Sequence, residues 1–102
     1  LNGAAGGKLA IIITNMSQAI ADGISAEIER GSTIVRATGA YTGEEREMLY
    51  CACGKNEMYK VRRVALLIDP SALIMITEIS EVMGEGFVPP EIPGNEMPTS
   101  KK

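Results

Sequence analysis

The chain has 102 residues, the length of one domain with a modest core. Ten Lys plus Arg against 13 Asp plus Glu leave a net charge of −3, which argues against bulk binding to nucleic acid or to an anionic membrane. There is no His and no Trp, so Ser-His-Asp triads and His-bound zinc are excluded and stacking on bases is poorly served.

In chain order, residues 1–7 are small and glycine-rich and read as a flexible linker. Residues 9–14 form a short Ile-rich run, too short for a helix, that reads as a buried strand. Ser17 offers an N-cap, and Met16, Ile20, Ile24 and Ile28 recur every four residues as an amphipathic helix stripe. Gly31 is placed to end that helix in a left-handed cap. Residues 32–38 are β-branched and predict a second strand. Gly39-Ala40-Tyr41-Thr42-Gly43 is turn chemistry, and residues 47–53 return as a third strand, making a hairpin. Asn56 can cap a second helix with Met58, Val61, Ala65 and Ile68 on one face. Asp69-Pro70 stops it, because proline disfavours the helical conformation of the residue before it. Residues 72–79 are a fourth strand. Residues 8–87 are expected to fold as one unit, and residues 88–102 carry four prolines and read as a loose tail.

The order β-α-β-β-α-β predicts an α+β, ferredoxin-like domain: a four-stranded antiparallel sheet with two helices on one face. The other face then lies open, and an open face washed by water calls for apolar–polar alternation. The strands do not supply it. Leu9, Ile11 and Ile13 oppose Ala10 and Ile12, while Ala72, Ile74 and Ile76 oppose Leu73, Met75 and Ile79. A patch of that size is uncommon on a soluble monomer, so a homo-oligomer, dimer or trimer, is expected through the open face.

Cys51 and Cys53 share a strand face, a poor geometry for a disulfide, and stand two ligands short of a structural zinc site. They read as small core residues in a reducing compartment. Neither metal nor cofactor is expected. No stretch approaches the ~20 apolar residues that span a bilayer, and no signal peptide is visible. A chain that opens on Leu1 is expected to be a piece of something longer.

Ile12-Ile13-Thr14-Asn15, Gly39-Ala40-Tyr41-Thr42-Gly43-Glu44-Glu45, Ile68-Asp69-Pro70 and Glu81-Val82-Met83-Gly84-Glu85-Gly86-Phe87 stand in the order and spacing of one known domain. Over about residues 8–88 the chain resembles the domain of unknown function at the cytoplasmic C-terminus of YitT-type bacterial membrane proteins. The resemblance implies a ferredoxin-like fold related to the nitrogen-regulator PII group, whose members commonly form trimers. It also implies a domain on the cytoplasmic side of the membrane, joined to the bilayer only through transmembrane helices that this chain lacks.

The split βαβ topology brings the hairpin loop to the end where strand one finishes, helix one starts and strand four begins. Gly39, Tyr41, Thr42 and Gly43 should therefore lie near Thr14, Asn15 and Asp69. Free amides at a helix start and in a glycine-bearing turn can hold an anion. Thr42 adds a hydroxyl, Arg46 a phosphate partner and Tyr41 a ring for a base or sugar. The PII resemblance implies a nucleotide pocket here, between subunits, with Glu85, Gly86 and Phe87 reaching in from a neighbour. The plainer reading is a hairpin turn alone, since Glu44, Glu45 and Glu47 would repel a phosphate. Lys60, Arg62 and Arg63 read as a solvated basic face, and no carboxylate pair stands in an acid–base constellation. The expectations are a small-ligand-sensing or regulatory domain, with a nucleotide or other small anion as ligand, or an oligomerisation module that binds nothing. No enzyme is expected.

Overall fold

The computed structural model of the chain describes residues 7–83. Six elements run in the order β1 (Gly7–Thr14), α1 (Ser17–Ile28), β2 (Thr33–Thr38), β3 (Glu45–Gly54), α2 (Met58–Ile68) and β4 (Leu73–Ile79). The sheet order is β2-β3-β1-β4 with every neighbour antiparallel, which is the ferredoxin-like arrangement. The tail at 88–102 and most of the linker lie outside the described residues. Gly7, read as linker, is the first residue of β1, paired with Gly54 on one side and Ile79 on the other.

Register decides which side chains share a face. Ala10 and Ile12 stand beside Cys51 and Leu49 on β3, and beside Ile76 and Ile74 on β4. Both helices cover this side. Ala10, Ile12, Leu49, Cys51 and Cys53 are buried against Ile20 and Ile24 of α1 and Met58, Val61 and Ala65 of α2. The two thiols are unpaired and lie on one strand face in this core. Burial raises both, Cys53 to about 11. The opposite face carries Leu9, Ile11 and Ile13 beside Met48, Tyr50 and Ala52, with Leu73, Met75 and Ile79 on β4.

The helix ends differ from the expectations. Ser17 is the first helical residue and Met16 the cap, with no side-chain cap bond. Thr14 Oγ1 instead accepts the Met16 N–H at 2.9 Å, and the Ser17 hydroxyl donates across the fold to Glu47. Met16, expected on the buried stripe, is 45% exposed because the cap lies outside the first turn. At the far end Glu29, not Gly31, takes the left-handed position with φ 57°, and its N–H bonds the Ser25 carbonyl. The chain turns early because the next residue, Arg30, is tied to Glu57 at 3.3 Å. Glu57 also sets the start of α2 in place of Asn56. Its carboxylate accepts the Gly54 N–H at 3.1 Å as well as Arg30, and it stands at the cap. Asn56 is too short to reach both and stays exposed in the turn. Asp69 ends α2 in an extended conformation, as a residue before proline should.

Candidate functional site

The end of the sheet that holds the β2–β3 hairpin gathers polar residues from four elements. Thr14, the last residue of β1, is buried, and its hydroxyl donates to Asp69 Oδ2 at 2.6 Å. Asp69 Oδ1 accepts the Ser71 hydroxyl at 2.8 Å and the Ser71 N–H at 3.0 Å. These bonds, with that from the Asn15 N–H, hold the Asp69 carboxyl below its ordinary value. Two carboxylates therefore already serve the region where α1 begins: Asp69 through Thr14 and Asn15, and Glu47 through Ser17.

The hairpin closes on itself. Gly39 N–H donates to the Glu44 carbonyl and Gly43 N–H to the Gly39 carbonyl, both at 2.8 Å. The Glu44 N–H bonds Thr42 Oγ1 at 3.2 Å. Gly43 has φ +75°, the left-handed conformation that costs glycine least. A Cβ on Gly39 would lie 3.0 Å from Thr42 Oγ1 and 3.6 Å from Arg46 Nε, so the turn packs tightly at its neck. Three amides of the loop are thus spent internally, and Tyr41 at the tip is 99% exposed.

Two clefts flank the hairpin. One, about 410 Å³, is lined by Asn15, Arg36, Thr38, Glu45, Arg46 and Glu47. Arg36 Nη1 stands 4.0 Å from Glu47 Oε2 there. The other, about 350 Å³, includes Ile13, Gly39, Tyr41, Thr42, Arg46 and Met48. The fold thus sets Asn15 with Arg46 in the first cleft, and Gly39, Tyr41 and Thr42 with Arg46 in the second. Thr14 lines neither, being turned to Asp69, and Gly43 lines neither. Glu85, Gly86 and Phe87 lie outside the described residues. Arg36 was not among the residues singled out from sequence. The hairpin register shows it, because Arg36 stands directly across from Glu47 once the turn is fixed.

Comparison with known proteins bears on this geometry. The profile of the uncharacterized protein family conserved in bacteria, DUF2179, matches residues 30–84, from the end of α1 past β4. The chain belongs to the DUF2179 family. Its ferredoxin-like order recurs in the crystal structure of an uncharacterized DUF2179 protein from Eubacterium ventriosum, with a TM-score of 0.60 and 30% identity. That match covers 70% of this chain and 97% of the other. The UPF0750 membrane protein YvjA of Bacillus subtilis (strain 168) is 40% identical over 80 residues, covering 78% of this chain and 28% of its own length. The UPF0750 membrane protein YitT of the same organism is 31% identical over 75 residues, covering 74% of this chain and 27% of itself. The resemblance to YitT-type proteins is thereby established. The chain spans little more than a quarter of these membrane proteins, and no helix among the described residues is long and apolar enough to cross a membrane.

Proposed function

We propose that this DUF2179 domain is an assembly unit of a bacterial membrane protein, in which copies join through the open sheet face and so gather the parts that carry them. One observation supports this above the rest. Among the described strand residues of the uncovered face, Arg46 alone is charged; Leu9, Ile11, Ile13, Met48 and Tyr50 lie on the two central strands, with Met75 beside Ile11 on the edge strand β4. Leu73 and Met75 are 54% and 41% exposed in a single copy. Four strands of about seven residues present roughly 400 Å² in plan at ordinary strand spacing and rise. The largest apolar patch on a typical monomer is about 300–600 Å² and is often functional. A face with almost no charge is complementary to itself, as a symmetric contact between copies requires.

Sedimentation equilibrium at micromolar concentration tests the reading. A dimer or trimer is expected, and Met75→Glu should yield a monomer with an unchanged circular dichroism spectrum. A wild-type chain that stays monomeric overturns it.

A second reading, sensing of a small anion such as a nucleotide, is favoured by the cleft in which Arg36 and Arg46 flank Asn15. Glu45 and Glu47 share that cleft and oppose it. A ligand at a hundredfold excess over its Kd raises stability by about 2.7 kcal/mol. A thermal-shift screen of nucleotides therefore decides it, provided the shift disappears in Arg36→Ala.

A further inference from the structure

On the reading that a membrane protein carries this domain, we propose that the outer face of α2 lies against anionic phospholipid headgroups. The helix reads MYKVRRVALLI from Met58 to Ile68. At about 100° per residue, Met58, Val61 and Ala65 turn into the core, where they are buried, with Val64 and Ile68 packed beside them. The remaining arc, about 160° wide, carries in angular order Arg62, Leu66, Tyr59, Arg63, Leu67 and Lys60. Among the described residues its apolar members stay exposed: Tyr59 is 52%, Leu66 45% and Leu67 75% exposed. The chain as a whole is net negative, yet these eleven residues hold three cations and no carboxylate.

Those cations differ in how far they are already satisfied. Arg63 is paired with Glu27 of α1 at 2.6 Å, and Lys60 Nζ lies 5.9 Å from the centre of the Tyr59 ring. Neither Arg62 nor Lys60 has a carboxylate within ion-pair distance among the described residues. The face therefore interleaves large apolar side chains with cations, two of them without a carboxylate partner among the described residues. Both kinds of side chain find partners at a membrane interface, where apolar groups reach the acyl boundary and cations meet lipid phosphate. A nucleic acid would use the cations but leave Leu66 and Leu67 in water. An apolar protein groove would use the leucines but desolvate Arg62. The helices occupy the layer opposite the open sheet face, so lipid contact and self-association do not compete. A domain tethered to a bilayer meets its surface at an effective concentration of order millimolar, so a weak intrinsic affinity suffices.

The test is co-sedimentation of the chain with phosphatidylcholine vesicles, and with vesicles in which a third of the lipid is phosphatidylglycerol, at millimolar lipid. The chain is expected to be enriched on the anionic vesicles and released by high salt. Arg62→Gln should lower partition about fivefold, the effect of one cation near such a surface. Leu67→Ser should lower it as well, and both variants should keep the wild-type circular dichroism and oligomeric state. Equal binding to neutral vesicles, no binding to either, or wild-type partition in both variants overturns the proposal. So does binding of a single-stranded RNA that survives Leu67→Ser and displaces the chain from vesicles. A chain that self-associates but ignores vesicles sinks lipid contact and leaves the assembly reading intact. A monomer that binds anionic vesicles does the reverse.

Discussion

Asp69 ties three parts of the chain with one carboxylate, taking hydrogen bonds from Thr14 at the end of β1, from Asn15 before α1 and from Ser71 before β4. All of these bonds favour the charged form, so folded Asp69 holds its proton less tightly than the unfolded chain does. The linked stabilisation is complete above the ordinary value of 3.8 and is lost as the pH falls through the lower folded value. Urea unfolding of the wild type should therefore weaken over that acid window more steeply than unfolding of Asp69→Asn. Parallel acid slopes for the two proteins would show that the carboxylate is not used this way. The meeting of Thr14 with Asp69 was legible in the sequence, since a split βαβ sheet brings the end of β1 and the turn before β4 to one end. That both residues would be spent on each other was not. Residue type announces a hydroxyl and a carboxylate, but only the register and the extended turn at Asp69 set them 2.6 Å apart.

Elements were easier to read than their ends. The periods of Ile20, Ile24 and Ile28 and of Met58, Val61, Ala65 and Ile68 gave both helices, because burial against a sheet follows the helical repeat. The caps were decided by long-range contacts instead. Glu57 displaced Asn56 by reaching Arg30, 27 positions away, and Ser17 turned from capping to Glu47, 30 positions away. The α1–α2 crossing has the same origin and gives a prediction. Gly23 sits in α1 where a Cβ would approach Val64 Cγ1 at 2.7 Å and Ile68 Cδ1 at 3.4 Å. Val64 is β-branched and stiff, so it cannot swing aside at low cost. Gly23→Val should lower the unfolding free energy by about 1–3 kcal/mol, the range for overpacking. Gly23→Ala should cost less, because its better helix propensity offsets the contact by about 1 kcal/mol. Equal stability of Gly23→Val and wild type in urea would mean that the helices do not cross this closely.

At the scale of the whole molecule, the two layers divide the work. The helix layer buries one side of the sheet, and the other side carries apolar side chains that no helix among the described residues covers. Failed alternation in β1 and β4 was visible in the sequence, and the sheet order places those strands side by side with β3, so their apolar residues merge into one patch. The loop was harder to read, because its glycines announce a turn without saying that Gly39 and Gly43 would bond within it. If copies bind each other only when folded, mass action makes thermal stability depend on concentration. For a dimer, each tenfold rise in chain concentration adds about 1.4 kcal/mol per dimer. Shared between two chains of about a hundred residues, that raises Tm by about 3–5 °C. Met75→Glu places a charge on β4 beside Ile11 of the central strand β1, where a second copy would have to desolvate it. Its Tm should be independent of concentration, while the wild-type Tm climbs over the same range. A wild-type Tm that stays level from micromolar to hundreds of micromolar, with no change in sedimentation, would mean that copies of the chain do not cover this face.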